Sequence, residues 1–333
     1  MSSDGYTDQM GGPKQRLFGS KRLKALILDN YQKPFDIQKR IFKDAFEAYK
    51  GDNERQDDVT LLGFAVTKYQ KVTILFASLR PAATPSDTQA GSAIPEEYSD
   101  LLKSYFEKAQ FIIEQHGGFT SSAVDNSIIA FFPSNADNAV KAAKSLQKIL
   151  DTLNTDQKQQ HRELLAIGFG IHTCSHIFKS FEELKQMEQE KKRNIADDIT
   201  IVAQLQSLTK TTGTSTLICD ETLTSFADPS RFMYRFTGII RLKKKNDDIS
   251  VFEVFDTDPQ DMREKKSKSL GDYDQGVFYY YNKDFSRAVK YFNAVLSVNP
   301  EDKVAQKYVA RAEQFTSHSL PQDWEYLDSV DDA

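Results

Sequence analysis

The chain has 333 residues, 39% hydrophobic and 27% charged, an ordinary globular composition at a length that calls for two or three structural units. A net charge of −5 with dispersed basic residues excludes a nucleic-acid-binding stripe, and no apolar run approaches the ~20 residues that cross a bilayer. Cys174 and Cys219 are the two cysteines; they offer no disulfide framework, and with no signal-peptide pattern in Met1–Tyr6 the expected location is cytoplasmic.

In chain order, a Gly-rich turn at Asp8–Pro13 precedes two helical patterns, roughly 20–31 and 35–50. Gly51-Asp52-Asn53 stops the second, and an alternating strand pattern runs from Val59 to Val66. A strand at Lys71–Ala77 opens the next unit. Residues 81–97, rich in Pro, Ala, Ser and Thr, read as a loop. A helix near 97–115 carries Tyr105, Ala109 and Ile112 on one stripe and ends at Gly117-Gly118. A strand pair around 119–132, a helix at 135–154 and a strand at 164–172 follow. A charged segment at 182–193 leads into a helix at 196–212, then strands at 216–219 and within 233–254. Strands alternating with helices indicate an α/β or α+β sheet domain.

Residues 271–316 change character, with Tyr279, Phe285, Ala288, Phe292 and Leu296 spaced for two antiparallel helices joined at Asn282-Lys283-Asp284. A third helix spans about 303–315, and the tail is extended and anchored by Trp324. The basic runs Arg241–Lys245 and Lys265–Lys268 read as solvated hairpin or linker. His172, Cys174 and His176 share one strand face with no fourth ligand nearby in sequence, so they read as packing rather than as a metal site.

The order of motifs over residues ~70–256 resembles the class III nucleotide cyclase domain. Val72–Leu79 is similar to its first strand, Tyr105–Gly118 to its helix and turn, and Ser127–Phe132 to its hairpin. Ile167–Thr173 is similar to the strand after the next helix, and Ala203–Leu208 to the helix that places transition-state residues. The resemblance implies a ferredoxin-like βαββαβ core with an N-terminal αβ extension and a C-terminal helical hairpin. It also implies dimerisation through this domain, as a homodimer or a heterodimer, with sites shared across the interface.

A cyclase makes a ribose 3′-oxygen attack the α-phosphate, and two divalent ions about 3.5–4 Å apart activate that oxygen and neutralise the phosphates. Hard cations need anionic oxygen ligands. By resemblance the two carboxylate positions are Ser78 and Asn126, the base-selecting lysine position is Ser122, and the Asn/Arg helix pair falls at Thr200 and Gln204. All five carry other side chains, so the expectation is a degenerate site. Asp125 neighbours Asn126, but a one-residue offset on a strand turns a side chain away, which leaves it a turn aspartate.

Ser2–Asp8 and Arg55–Leu62 together resemble the closing third of a PPM-type serine/threonine phosphatase. Asp4 and Asp57 then stand at its metal-ligand positions; the alternative is that both are N-cap or turn aspartates. The earlier half of that fold is missing, so the metal set is incomplete. Residues 271–315 are similar to a tetratricopeptide-type helix pair, and one such pair cannot bury its own face; it is expected to pack against the cyclase-like domain.

The expected domains are 1–67 (phosphatase-like end), 68–257 (cyclase-like) and 258–333 (linker, helices and tail). The expected function is a non-catalytic signalling module, with a fragment of an active phosphatase as the alternative and an active cyclase ranked last. No cofactor is expected for this chain, Mn²⁺ or Mg²⁺ only with a complete phosphatase domain. The expected partners are a second cyclase-type domain or a signalling protein, without nucleic acid or a membrane span.

Overall fold

The computed structural model describes residues 2–30, 33, 35–62, 70–82, 98–121, 126–133, 135–162, 164–178, 193–241, 248–317, 320, 321 and 324. The chain divides into two compact units, Met1–Lys68 and Tyr69–Ala333.

The first unit contains a single-turn helix α1 (Asp4–Thr7), a small antiparallel pair β1 (Met10–Gly11) and β2 (Arg16–Leu17), and helices α2 (Ser20–Leu28) and α3 (Phe35–Lys50). Phe42 and Phe46, one turn apart on α3, close with Tyr6, Phe18 and Leu23 into a small core. Tyr6 meets Phe18 edge-on at 5.1 Å, and its hydroxyl donates to the Phe42 carbonyl at 2.7 Å. Burial pushes the Tyr6 pKa up to about 12. Gly11 is required by close approach, because a Cβ there would lie 1.9 Å from the Tyr49 carbonyl oxygen. The strand expected at 59–66 is reduced, where described, to an isolated bridge between Leu61 and Ser2; residues 63–66 lie outside the described residues.

In the second unit, β3 (Gln70–Pro81), α4 (Ser99–Gln115), β4 (Phe119–Thr120), β5 (Ser127–Phe132), α5 (Ala136–Gln159) and β6 (Leu165–Phe178) follow one another. Then come α6 (Arg193–Thr212), β7 (Thr216–Cys219), the single-turn α7 (Asp220–Thr224) and the pair β8 (Tyr234–Arg241) and β9 (Asp248–Val254). The sheet runs β4-β5-β3-β6-β7-β9-β8, with β6 and β7 parallel and every other neighbouring pair antiparallel. Its first four strands have the ferredoxin-like order, so the α+β core expected from the residues is the one that forms. Of the loop expected at 81–97, residues 83–97 lie outside the described residues, as do residues 182–192 of the charged segment expected at 182–193.

β3 sits between two strands and is covered on both faces, which is why Val72–Ala77 reads as a nearly unbroken apolar run. Leu75, Ala77 and Leu79 pack with Tyr105, Ala109 and Ile113 of α4 and with Leu146 of α5. Val72 and Ile74 point the other way, towards Ile195 and Val202 of α6. The spacing of Tyr105, Ala109 and Ile113 at successive i+4 steps gives α4 its buried stripe. Gly117, at φ +75°, supplies the left-handed residue that ends it. Asn135 caps α5 by accepting from the Asp137 N–H at 2.8 Å.

Three further helices, α8 (Gln260–Tyr281), α9 (Phe285–Val298) and α10 (Lys303–Ser317), share a core of Tyr273, Tyr280, Phe292, Val295 and Tyr308. They pack onto β8: the Tyr273 hydroxyl donates to the Phe236 carbonyl at 2.8 Å and the Tyr308 hydroxyl to the Thr237 carbonyl at 3.0 Å. Trp324 is buried here and its carbonyl accepts from Tyr280.

The run Lys265–Lys268 is not a linker. It lies inside α8, and Lys266 is only 4% exposed. Its ammonium bonds Glu253 and, at 2.6 Å, Asp258. Burial would strip its charge, but Glu253 and then Asp258 hold the Lys266 pKa above the ordinary lysine value. A lysine flanked by basic neighbours looks solvated in sequence because its carboxylate partners come from other elements.

Candidate functional site

The positions singled out by the cyclase resemblance fall at two places in the second unit. Ser78 stands opposite Ser127 in the β3–β5 ladder and opposite Gly168 in the β3–β6 ladder. The period of two puts it on the same sheet face as Ile74 and Phe76, the face covered by α6. Asn126 precedes β5 and closes the ladder against the next β3 residue. Its carbonyl accepts from the Leu79 N–H at 2.9 Å, and its side-chain amide donates to the Leu79 carbonyl at 2.6 Å. Ser127 adds a hydroxyl contact to Asn126 Oδ1 at 3.4 Å. The fold therefore brings Ser78 and Asn126 to one strand end. Ser122 and Asp125 lie outside the described residues.

Thr200 and Gln204 lie one turn apart on α6. The Thr200 hydroxyl donates back to the Ala196 carbonyl at 2.8 Å, while Gln204 Oε1 is buried without a hydrogen-bond partner. α6 lies very close to β6, and glycine makes that approach possible. A Cβ on Gly170 would sit 2.2 Å from the Val202 carbonyl oxygen, and one on Gly168 would sit 2.1 Å from Thr209 Oγ1. Arg80, on the Ser78 face, reaches Thr209 Oγ1 at 3.4 Å; burial lowers its pKa. Among the described residues no hydrogen bond joins Ser78 or Asn126 to Thr200 or Gln204.

Two divalent cations do not fit the described part of this site. At the two positions that the resemblance assigns to carboxylates stand a hydroxyl and an amide, and the Asn126 Nδ2 is committed to the Leu79 carbonyl.

In the first unit, Asp4 opens α1 and Asp57 accepts from the Asp58 N–H through Oδ1 at 2.7 Å; both side chains are exposed. Among the described residues, the one group of three His, Cys, Asp or Glu side chains close enough to share a cation is His172, Cys219 and Glu221, which includes neither aspartate. Sequence reading placed His172 beside Cys174 and His176. The fold instead gives it Cys219 and Asp198, because partners 47 and 26 residues away leave no local signal.

Three curated relatives are similar to this chain. The terminal-differentiation-specific adenylate cyclase of Dictyostelium discoideum is 26% identical over 259 residues, 76% of this chain and 12% of that protein. An adenylate cyclase of Anabaena cylindrica is 26% identical over 199 residues, 58% of this chain and 38% of that protein. Adenylate cyclase 1 of Rhizobium meliloti is 22% identical over 191 residues, 56% of this chain and 27% of that protein.

The chain is similar to adenylate cyclases.

It spans less than two fifths of the length of each of these relatives. No protein-family model matches the chain. Solved structures with a similar chain course include a guanylyl cyclase, 22% identical over 56% of this chain and 93% of that chain with a TM-score of 0.41. Another is an adenylyl cyclase from P. aeruginosa, 21% identical over 56% of this chain and 94% of that chain, also at 0.41. No described helix is long and apolar enough to cross a membrane.

These findings overturn the expectation of a non-catalytic module fused to the end of a PPM-type phosphatase, and with it the phosphatase-fragment alternative. The curated relatives are adenylate cyclases, the reading ranked last from the residues, and none of those named is a phosphatase. The likeness to an adenylate cyclase extends over 259 residues, 76% of this chain.

Proposed function

We propose that residues 68–257 form a nucleotide cyclase domain acting on a purine nucleoside triphosphate. The ribose 3′-oxygen attacks the α-phosphorus and gives its proton to solvent, while the bond from that phosphorus to the bridging oxygen breaks and pyrophosphate leaves. The observation that carries this reading is the sequence likeness to an adenylate cyclase over 259 residues, 76% of the chain. The domain is read as working in a dimer, with a site shared between two cyclase-type domains.

The neutral side chains of Ser78, Asn126, Thr200 and Gln204 set the rate low. One missing preorganised donor at a developing charge costs about 2.7–4 kcal/mol, a factor of about 10² to 10³. Slow turnover is therefore part of the proposal.

The test is to incubate the full chain with ATP or GTP and Mn²⁺ and to quantify cyclic nucleotide by mass spectrometry. Cyclic product above a heat-denatured control supports the reading, and preference for one nucleotide names the substrate. A folded chain that forms no cyclic product from either nucleotide overturns it.

A further inference from the structure

β6 and β7 run parallel with Ile171 opposite Ile218, so the next residues on each strand, His172 and Cys219, lie side by side on the α6 face. His172 Nδ1 is 3.0 Å from Cys219 Sγ, and its Nε2 is 3.2 Å from Asp198 Oδ1 on α6. Glu221, in the first turn of α7, brings a carboxylate oxygen to within 4.8 Å of both the cysteine sulfur and an imidazole nitrogen. Thr222 locks this corner: its hydroxyl oxygen accepts from the Thr173 N–H at 2.9 Å and lies 3.2 Å from Cys219 Sγ.

We infer that His172, Cys219 and Glu221 form a binding site for a thiophilic divalent cation of the zinc class, with Asp198 orienting His172 from behind. The donor set is one sulfur, one nitrogen and one oxygen. Zinc bonds of 2.3 Å to sulfur and 2.0–2.1 Å to nitrogen put tetrahedral ligand atoms about 3.5 Å apart. The 3.0 Å Nδ1–Sγ separation is within about 0.5 Å of that value, and the Glu221 oxygen lies within 4.8 Å of both atoms. Three protein ligands leave a fourth position for water.

A second observation points the same way. Asp198 is 1% exposed and lies against the Cys174 thiol as well as His172, yet its Oδ2 makes no hydrogen bond of ordinary geometry. Glu221 and Asp220, at the same corner, pair their carboxyl groups with each other, and Glu221 also faces the Cys219 thiol. A buried carboxylate oxygen left without a well-formed hydrogen bond beside a thiol–imidazole pair is what a bound cation would compensate. Asp198 on the far imidazole nitrogen supplies the carboxylate–histidine–metal arrangement that fixes tautomer and ring orientation. Glu221 is only partly buried and opens the path to solvent, while Cys219 is fully enclosed. On binding, the Cys219 thiol loses its proton to solvent and sulfur becomes the ligand.

The inference does not rest on the cyclase reading, and its test needs no nucleotide. The full chain, reduced and metal-free, is titrated with Co²⁺ and followed by absorption, then competed with Zn²⁺. The expected result is one equivalent bound, with a thiolate-to-cobalt charge-transfer band that Zn²⁺ removes. Cys219→Ser abolishes the band and Cys174→Ser keeps it. Asp198→Asn weakens binding about 10- to 100-fold. Glu221→Gln, at a partly exposed site, reports on the ligand set should Cys219→Ser fail to fold, and is expected to weaken binding at least tenfold. Absence of the band in the wild-type chain overturns the inference. So does an unchanged band and affinity in a folded Cys219→Ser or, failing that variant, in Glu221→Gln.

Discussion

Asp302 holds Arg235 with both carboxylate oxygens, Oδ2 at 2.6 Å from Nη1 and Oδ1 at 3.0 Å from Nη2, inside the protein. Arg235 sits on β8 and Asp302 opens α10, so this bidentate pair ties the C-terminal helices to the sheet. Arg235 Nε also donates to Glu253 at 2.6 Å, Glu253 bonds Lys266, and the guanidinium lies 4.2 Å from the Tyr273 ring centroid. Every formal charge in the cluster therefore has a geometric partner.

Truncating one partner leaves a buried charge uncompensated, at a cost of about 3–5 kcal/mol. Asp302→Ala is expected to destabilise the chain by that amount, measured by urea unfolding. A loss below about 1 kcal/mol would show that α10 is not held through this pair.

The same pair gives a pH dependence. Burial would raise the Asp302 pKa, but the Arg235 guanidinium overrides it and holds the carboxyl below its ordinary value. A group depressed on folding contributes stability above its unfolded pKa and loses it as pH falls through the folded one. Stability is expected to fall as pH drops below about 4. The stability gap between wild type and Asp302→Asn should narrow over the same acid range. A gap that stays constant from pH 6 to pH 2.5 would contradict the assignment.

Gly170→Ala tests the seat of the proposed site. Its Cβ would fall 2.2 Å from the Val202 carbonyl oxygen and 2.6 Å from the Gln206 nitrogen, both backbone atoms that cannot swing away. Overpacking of this kind costs about 1–3 kcal/mol. Displacing α6 also moves Thr200 and Gln204, so cyclase turnover should drop more than stability alone explains. Thermal unfolding and turnover measured on the same preparation separate the two effects.

Much of the second unit was legible in the sequence because its signals are local. The Tyr105 and Ala109 spacing gives α4, although its next buried residue is Ile113 rather than the expected Ile112; Gly117 gives its end, and the apolar run from Val72 gives the central strand. Asn282-Lys283-Asp284 marks the turn between α8 and α9, where Lys283 takes φ +63°. The start of α8 was hidden, since the basic run around Lys266 reveals its acidic partners only in three dimensions. The resemblance names Ser78 and Asn126 together; in the structure Ser78 pairs with Ser127, and Asn126, just before β5, bonds Leu79. The His172–Cys219–Asp198 contacts were not legible, because they depend on a parallel strand register and a helix crossing.

The most direct measurement of the central claim compares cyclic nucleotide formation by the full chain with that of the double variant Ser78→Asp, Asn126→Asp. If the domain is a cyclase slowed by neutral side chains, the wild type forms product slowly and the restored carboxylates raise the rate at least tenfold with the fold unchanged. If both folded proteins form no cyclic product from ATP or GTP, the likeness to adenylate cyclases does not extend to the reaction, and the account fails.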